Sequence, residues 1–251
     1  MAHTLARTVD IDDPRAVEVR RQILREKPFL RRIYQEWYQQ LARTVPSGDG
    51  AVLEIGAGAG FLGEHLPGVI RSDVFNHAGV DIVLDGLMLP LAGGVLPGIV
   101  MVDVLHHIPQ PRRFFTEAAR CVRPGGVIAM VEPWVTAWSK LIYGKLHHEP
   151  SRPEAPNWEF QSTGPLSGAN GALPWILFER DRAQFVREFP AWDIDKIEIG
   201  MPFRYLLSGG MSMRSLAPGW SFPVWRALEC TLQPWTPRLG MFAVIVLKRS
   251  R

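Results

Sequence analysis

The run Val52-Leu53-Glu54-Ile55-Gly56-Ala57-Gly58-Ala59-Gly60 sets a carboxylate two positions ahead of three alternating glycines. Glycine carries no Cβ, so such a backbone can lie close against a ligand. Glu54, Gly56, Ala57, Gly58 and Gly60 are therefore candidate contacts to a bound small molecule. Asp73 ends the next apolar run, where a carboxylate can accept hydrogen bonds from both hydroxyls of a ribose or can simply be a polar strand end. Asp85-Gly86 follow a third apolar run, and Asp103, His106 and His107 follow a fourth. Imidazole titrates near neutral pH, so either histidine could take a proton from a hydroxyl nucleophile; the competing reading is a hydrogen-bonded structural pair. Asp103, His106 and His107 would also make a zinc- or iron-like ligand set, but no metal is expected. A further cluster, His147-His148-Glu149, is adjacent on the chain and so does not share one helical face; it lines a pocket or caps a loop. Two common glycine motifs are excluded. Phe61 stands where the dinucleotide fingerprint needs its third glycine, and no Gly-Lys-Ser/Thr follows for a P-loop.

These residues need parallel strands to bring them together. From Ala51 the chain alternates short apolar runs with glycine, proline and acidic residues, which predicts strands at Val52–Ile55, Val69–Ser72, Val80–Leu84, Gly98–Val102 and Val127–Val131, with helices in the gaps. The clearest helix is Pro111–Val122, closed by Arg123-Pro124-Gly125-Gly126. An amphipathic helix over 176–189 and strands at Asp193–Ile199 and Met241–Leu247 complete the pattern. Ahead of it, Asp12-Asp13-Pro14 predicts a helix start, with the carboxylate as cap and proline as the first helical residue. Apolar residues from Val19 to Leu41 recur at helical spacing, broken at Pro28. Their other face carries Arg20, Arg21, Arg25, Lys27, Arg31 and Arg32, which reads as a solvated surface or as a contact with an anionic membrane.

The glycine turn with its leading acid resembles motif I of class I S-adenosylmethionine-dependent methyltransferases of the type 11 kind. Asp73, Leu84-Asp85-Gly86 with Leu89-Pro90, the run from Ile99 to Ile108 and the run Phe114 to Gly126 resemble the family's following landmarks in order. The resemblance implies an α/β, Rossmann-like, seven-stranded doubly wound sheet with N-terminal helices and two insertions in the C-terminal half. It implies S-adenosylmethionine as cofactor, an acid at Asp73 on its ribose and an acid at Asp85 near its adenine. Only about nine residues, Gly60 to Gly68, separate motif I from the second strand, where the family usually has a full helix. A cofactor-binding or scaffold subunit on the same fold stays open as the alternative to a catalyst.

Composition bounds the rest. A chain of 251 residues, 47% hydrophobic and 21% charged, can build its core without staples. The two cysteines form neither a disulfide framework nor a zinc pattern and are expected as buried thiols in a reducing cytoplasm. The N-terminus has no signal-like apolar stretch, and no stretch is long enough to span a bilayer. A net charge of +3 with scattered cations argues against nucleic acid as partner.

The chain is read as one domain over 1–251. Residues 14–42 form a helical cover, 50–133 the cofactor-binding core, and 134–175 and 200–239 insertions that enclose an acceptor. Trp134, Trp138, Tyr143, Trp158, Phe160 and Trp175 in the first insertion and Phe203, Tyr205, Trp220, Phe222, Trp225 and Trp235 in the second are either core or the walls of a hydrophobic site. Gly164 to Gly171 and Ser208-Gly209-Gly210 supply tight turns nearby. The insertions also resemble bacterial methyltransferases found among envelope polysaccharide functions, so the expected acceptor is a small molecule, glycan or lipid-linked molecule, methylated on oxygen by in-line transfer, with peripheral membrane contact as one option.

Overall fold

The computed structural model describes residues 12–146, 150–164 and 166–250. Two helices open it, α1 (Arg15–Glu26) and α2 (Pro28–Thr44). The Asp13 carboxylate accepts the Arg15 backbone N–H at 2.8 Å, while Pro14 takes the cap position with φ −52°, so the helix starts one residue later than predicted. Pro28 starts α2, because its ring forbids continuation of α1 but suits a first helical turn.

The sheet follows as β1 (Leu53–Ile55), β2 (Ile70–Asp73), β3 (Ile82–Val83), β4 (Leu96–Val102), α3 (Pro111–Cys121) and β5 (Val122–Pro133). After β5 come α4 (Ala137–Leu146), α5 (Leu173–Trp175), a π turn (Ile176–Arg180) and α6 (Arg182–Glu188). The chain ends with β6 (Trp192–Gly200), α7 (Arg204–Ser208), α8 (Phe222–Thr231), α9 (Thr236–Leu239) and β7 (Phe242–Arg249). The strand order is β3-β2-β1-β4-β5-β7-β6, parallel except for β7, which lies antiparallel between β5 and β6.

Both faces of the central strands are covered, which is why β4 and β5 read as unbroken apolar runs. Ile99, Met101, Ile128, Met130, Ile245 and Leu247 turn to one core with Phe114, Phe115 and Phe185; Val100, Ala129, Val131 and Val244 turn to the other with Ile33, Trp37 and Leu41 of α2.

Three expectations are corrected. Helices do not fill the gaps before β4: the nine residues between Gly60 and Gly68 are too few for a crossover helix and hold only a 3-10 turn (Leu62–Glu64), while Pro90 and Gly93-Gly94 keep the next connection irregular. The helix expected over 176–189 is broken at Asp181, whose carboxylate accepts the Trp158 indole N–H at 2.8 Å. Cys121 is buried as expected, but Cys230 is exposed on the outer helix α8. Among the described residues no helix is long and apolar enough to cross a membrane.

Candidate functional site

In sequence order the sheet grows from β1 outward through β2 and β3, then returns to place β4 on the other side of β1. Open α/β sheets bind ligands at such a reversal, beyond the carboxyl ends of the strands. The glycine turn sits there. Gly56 has φ +71°, and a Cβ at that position would meet Val104 Cγ2 at 2.5 Å. A Cβ at Gly60 would collide with the Tyr38 hydroxyl and approach Ala57 O to 2.8 Å. The turn is fastened to β2 by Ala57 N–H to Ser72 O at 2.8 Å and by Gly58 N–H to Asp73 Oδ2 at 2.8 Å; Asp73 Oδ1 accepts from Phe75 N–H at 3.0 Å. Glu54, in the middle of β1, is 5% exposed, and burial with the nearby Asp73 raises its carboxyl from 4.5 to about 7 against the opposing pull of Arg71.

A cavity of about 1010 Å³ opens over these groups. Glu54, Gly56, Ala57, Gly58, Gly60, Asp73, Asp85, Gly86 and Asp103 all line it. Asp85 Oδ1 is partly engaged by Leu87 N–H at 2.8 Å. Asp103 holds φ +64°, the left-handed region that a non-glycine residue occupies at a cost, and donates its N–H to Val131 O at 2.8 Å.

The histidine pair divides. His107 lines the cavity, with Nδ1 3.4 Å from Gly168 O. His106 is fully enclosed and lies outside the cavity lining, with Nδ1 2.7 Å from Glu132 Oε2; it is corrected from a candidate base to a fastening group. Glu132 Oε1 accepts from Val104 N–H at 2.9 Å and Leu105 N–H at 2.6 Å, so this buried carboxylate ties the turn after β4 to β5. Sequence reasoning missed Glu132, because its partners lie more than twenty-five positions away and no local pattern announces them. Ligating atoms of Asp103, His106 and Glu132 lie within 4.8 Å of one another, a different trio from the one the sequence suggests. Both Glu132 oxygens are already taken by backbone N–H groups and His106, so the trio reads as a brace.

The far wall of the cavity comes from α1, α2, α4, residues 162–164, Leu166 and the segment 209–213. Of the insertion aromatics, Tyr143 and Tyr205 line it, Trp134 and Trp158 are core, and Trp220 and Trp235 are exposed. His147-His148-Glu149 lie outside the described residues. The basic face of α1 and α2 is largely spoken for: Arg21 meets Glu18 and Ala78 O, Arg31 meets Glu64, and Arg32 meets Gly219 O.

Lys27 is 5% exposed and donates to Gly210 O at 2.7 Å and to Met213 O, clamping the 209–213 wall to the junction of α1 and α2. Burial lowers its ammonium from 10.5 to about 8. Lys27→Met is expected to cost about 1–3 kcal/mol by leaving those carbonyls unpaired, read by urea unfolding; an unchanged midpoint and slope would contradict the clamp.

The Methyltransferase domain family matches residues 53–130, the stretch from β1 through β5 that carries the turn, Asp73, Asp85 and Asp103. Residues 53–130 thus carry a domain of this methyltransferase family, which takes S-adenosylmethionine as its cofactor. In fold it is similar to a Haloferax volcanii protein described as a methyltransferase, in complex with the Trm112 methyltransferase activator, at 11% identity and TM-score 0.53 over 97% of this chain and 100% of that one. A Bacillus halodurans protein described as a methyltransferase compares at 12% identity and TM-score 0.49 over 85% and 99% of the two chains. The YcgJ protein of Bacillus subtilis compares at 14% and 0.48 over 86% and 99%. No curated protein matches the chain in sequence.

Proposed function

We propose that the domain transfers the methyl group of S-adenosylmethionine to a hydroxyl on a largely apolar, uncharged acceptor, either a small molecule or a lipid-linked one. The observation that carries this reading is the cavity lining. Arg20 is its one Lys or Arg side chain among the described residues, against the carboxylates of Glu54, Asp73, Asp85 and Asp103 on the cofactor side. A polyphosphate or polyanionic acceptor would find almost no charge to pair with. The acceptor side instead presents Ile23, Ile142, Leu206, Met211 and Met213 beside the rings of Tyr143 and Tyr205.

In this reading Glu54 faces the methionine portion of the cofactor, Asp73 accepts from its ribose and Asp85 lies near its adenine. Methyl transfer is a displacement in which nucleophile, methyl carbon and sulfur stand in line, so positioning and exclusion of water supply much of the rate. A hydroxyl must lose its proton as the new bond forms, and His107 is the basic side chain set in the lining for that step. Incubation with methyl-labelled cofactor and fractionated cell extract tests the acceptor. Label should enter the organic-soluble fraction as an alkali-stable ether; label confined to RNA or protein would overturn the reading.

Glu54 gives a pH prediction. Its carboxyl is raised to about 7 in the folded protein against 4.5 for an ordinary glutamate, so the folded state holds a proton that the unfolded state has lost. The associated stability is present in full below about 4.5, declines as pH rises, and is gone above about 7. Glu54→Gln should therefore stabilise the cofactor-free protein at pH 8, by on the order of 3 kcal/mol, while abolishing the ionised partner for the cofactor's ammonium. In the wild type, affinity for S-adenosylmethionine should fall as pH drops through about 7. Calorimetry with melting curves across that range checks both; pH-independent affinity would remove Glu54 from the ammonium contact.

A further inference from the structure

The second insertion carries an exposed apolar stripe that the cavity does not use. Trp220, Val224, Leu228 and Trp235 are 77%, 65%, 43% and 55% exposed. They belong to an almost continuous helical run: a 3-10 turn (Gly219–Ser221), α8, a 3-10 turn (Gln233–Trp235) and α9, with Leu232 N–H donating back to Leu228 O at 3.2 Å. Steps of four, four and seven residues put these four side chains along one side of that run. The opposite side is anchored: Phe222 is buried and packs edge-on against Phe29 with ring centroids 5.1 Å apart, and the carboxylate of Glu229 accepts from the Phe203 and Arg204 N–H groups. The exposure is thus a property of a seated element and not of a frayed one.

Its charge is one-signed. Between residues 200 and 239 the sequence has Arg204, Arg214, Arg226 and Arg238 and a single acid, Glu229. Glu229 is buried and paired with Arg204 at 2.5 Å, and Arg226 meets Glu36 at 2.9 Å. Of the insertion's other cations, Arg214 is exposed, and the Arg238 guanidinium lies 6.0 Å from the Trp235 ring centroid. Indole rings, branched aliphatics and arginines with no exposed acid among them match the boundary between acyl chains and anionic headgroups. A second copy of the chain would bring the same cations face to face.

We propose that this stripe seats the protein on an anionic phospholipid surface through Trp220, Val224, Leu228 and Trp235, with Arg214 and Arg238 meeting lipid phosphates. The insertion that docks also supplies the 209–213 wall of the cavity, so docking sets the acceptor side next to the lipid. This site differs from the basic face of α1 and α2, where Arg21, Arg31 and Arg32 already meet partners within the chain. It does not rest on methyl transfer, because lipid binding is read without cofactor.

The test is flotation of the full-length protein with vesicles of phosphatidylcholine alone and of an equimolar mixture with phosphatidylglycerol. The wild type should float with the mixed vesicles and bind phosphatidylcholine far more weakly. Arg214→Gln with Arg238→Gln should lower affinity for the mixed vesicles by about 30-fold, and Trp220→Ser with Trp235→Ser should lower it at least as much. All four side chains are exposed, so melting temperatures should not change, and each pair checks the other. Wild type that stays unbound to the mixed vesicles, either double variant floating as wild type does, or a wild-type dimer that the tryptophan pair disperses would overturn the proposal.

Discussion

Asp73→Ala is expected to weaken S-adenosylmethionine binding by roughly 10²- to 10⁴-fold, the loss of two hydrogen bonds from ribose hydroxyls to a charged acceptor at about 1.5–3 kcal/mol each. The carboxylate has lone pairs to spare: one oxygen already holds Gly58 N–H and the other Phe75 N–H, which leaves capacity for the ribose without undoing the turn. Alanine removes both functions, so part of its effect would come from a loosened glycine turn. Asp73→Asn separates the two. Its amide oxygen can keep Gly58 but its NH2 cannot accept from Phe75 N–H, and charge and the paired acceptor geometry are lost, so affinity should still fall at least tenfold with a smaller loss of stability than in Asp73→Ala. Isothermal titration checks both variants, and wild-type affinity in Asp73→Asn would show that the ribose contact lies elsewhere.

His107→Ala is expected to lower kcat by about 10²- to 10⁴-fold with little change in cofactor affinity, the range for loss of a positioned base. The same substitution at His106 should act differently. His106 is enclosed against Glu132, so its removal leaves a buried carboxylate short of a partner and should appear as lost stability before lost chemistry. The contrast is read by single-turnover transfer of labelled methyl at saturating cofactor, together with urea unfolding. Full transfer by His107→Ala would mean that the acceptor needs no base, which would point away from a hydroxyl.

The sheet was legible because its signals are local. An acid and alternating glycines at the end of an apolar run, an acid after the next run and a proline-glycine stop after α3 each fix an element from within a few residues. The strand boundaries moved by one or two positions at most sites, as with β2 at Ile70–Asp73, but β5 ran on from Val122 to Pro133 and β3 shrank to Ile82–Val83. What stayed hidden was long-range. His106 and His107 look equivalent as neighbours on the chain, and only the fold turns one to Glu132 and the other to the cavity. The basic side chains of α1 and α2 look like one surface until Lys27 is seen clamping Gly210 O and Arg31 meeting Glu64. The tryptophans gave no sign of their fates either, since Trp158 fills the core and Trp220 stands in solvent although both lie in segments of similar texture.

The central claim is that the turn from Glu54 to Gly60, together with Asp73 and Asp85, forms a site for S-adenosylmethionine. Calorimetric titration of the purified protein with S-adenosylmethionine and S-adenosylhomocysteine at pH 8 tests it most directly. The account predicts one saturable site for each, lost together in Asp73→Ala; absence of binding to both would contradict it.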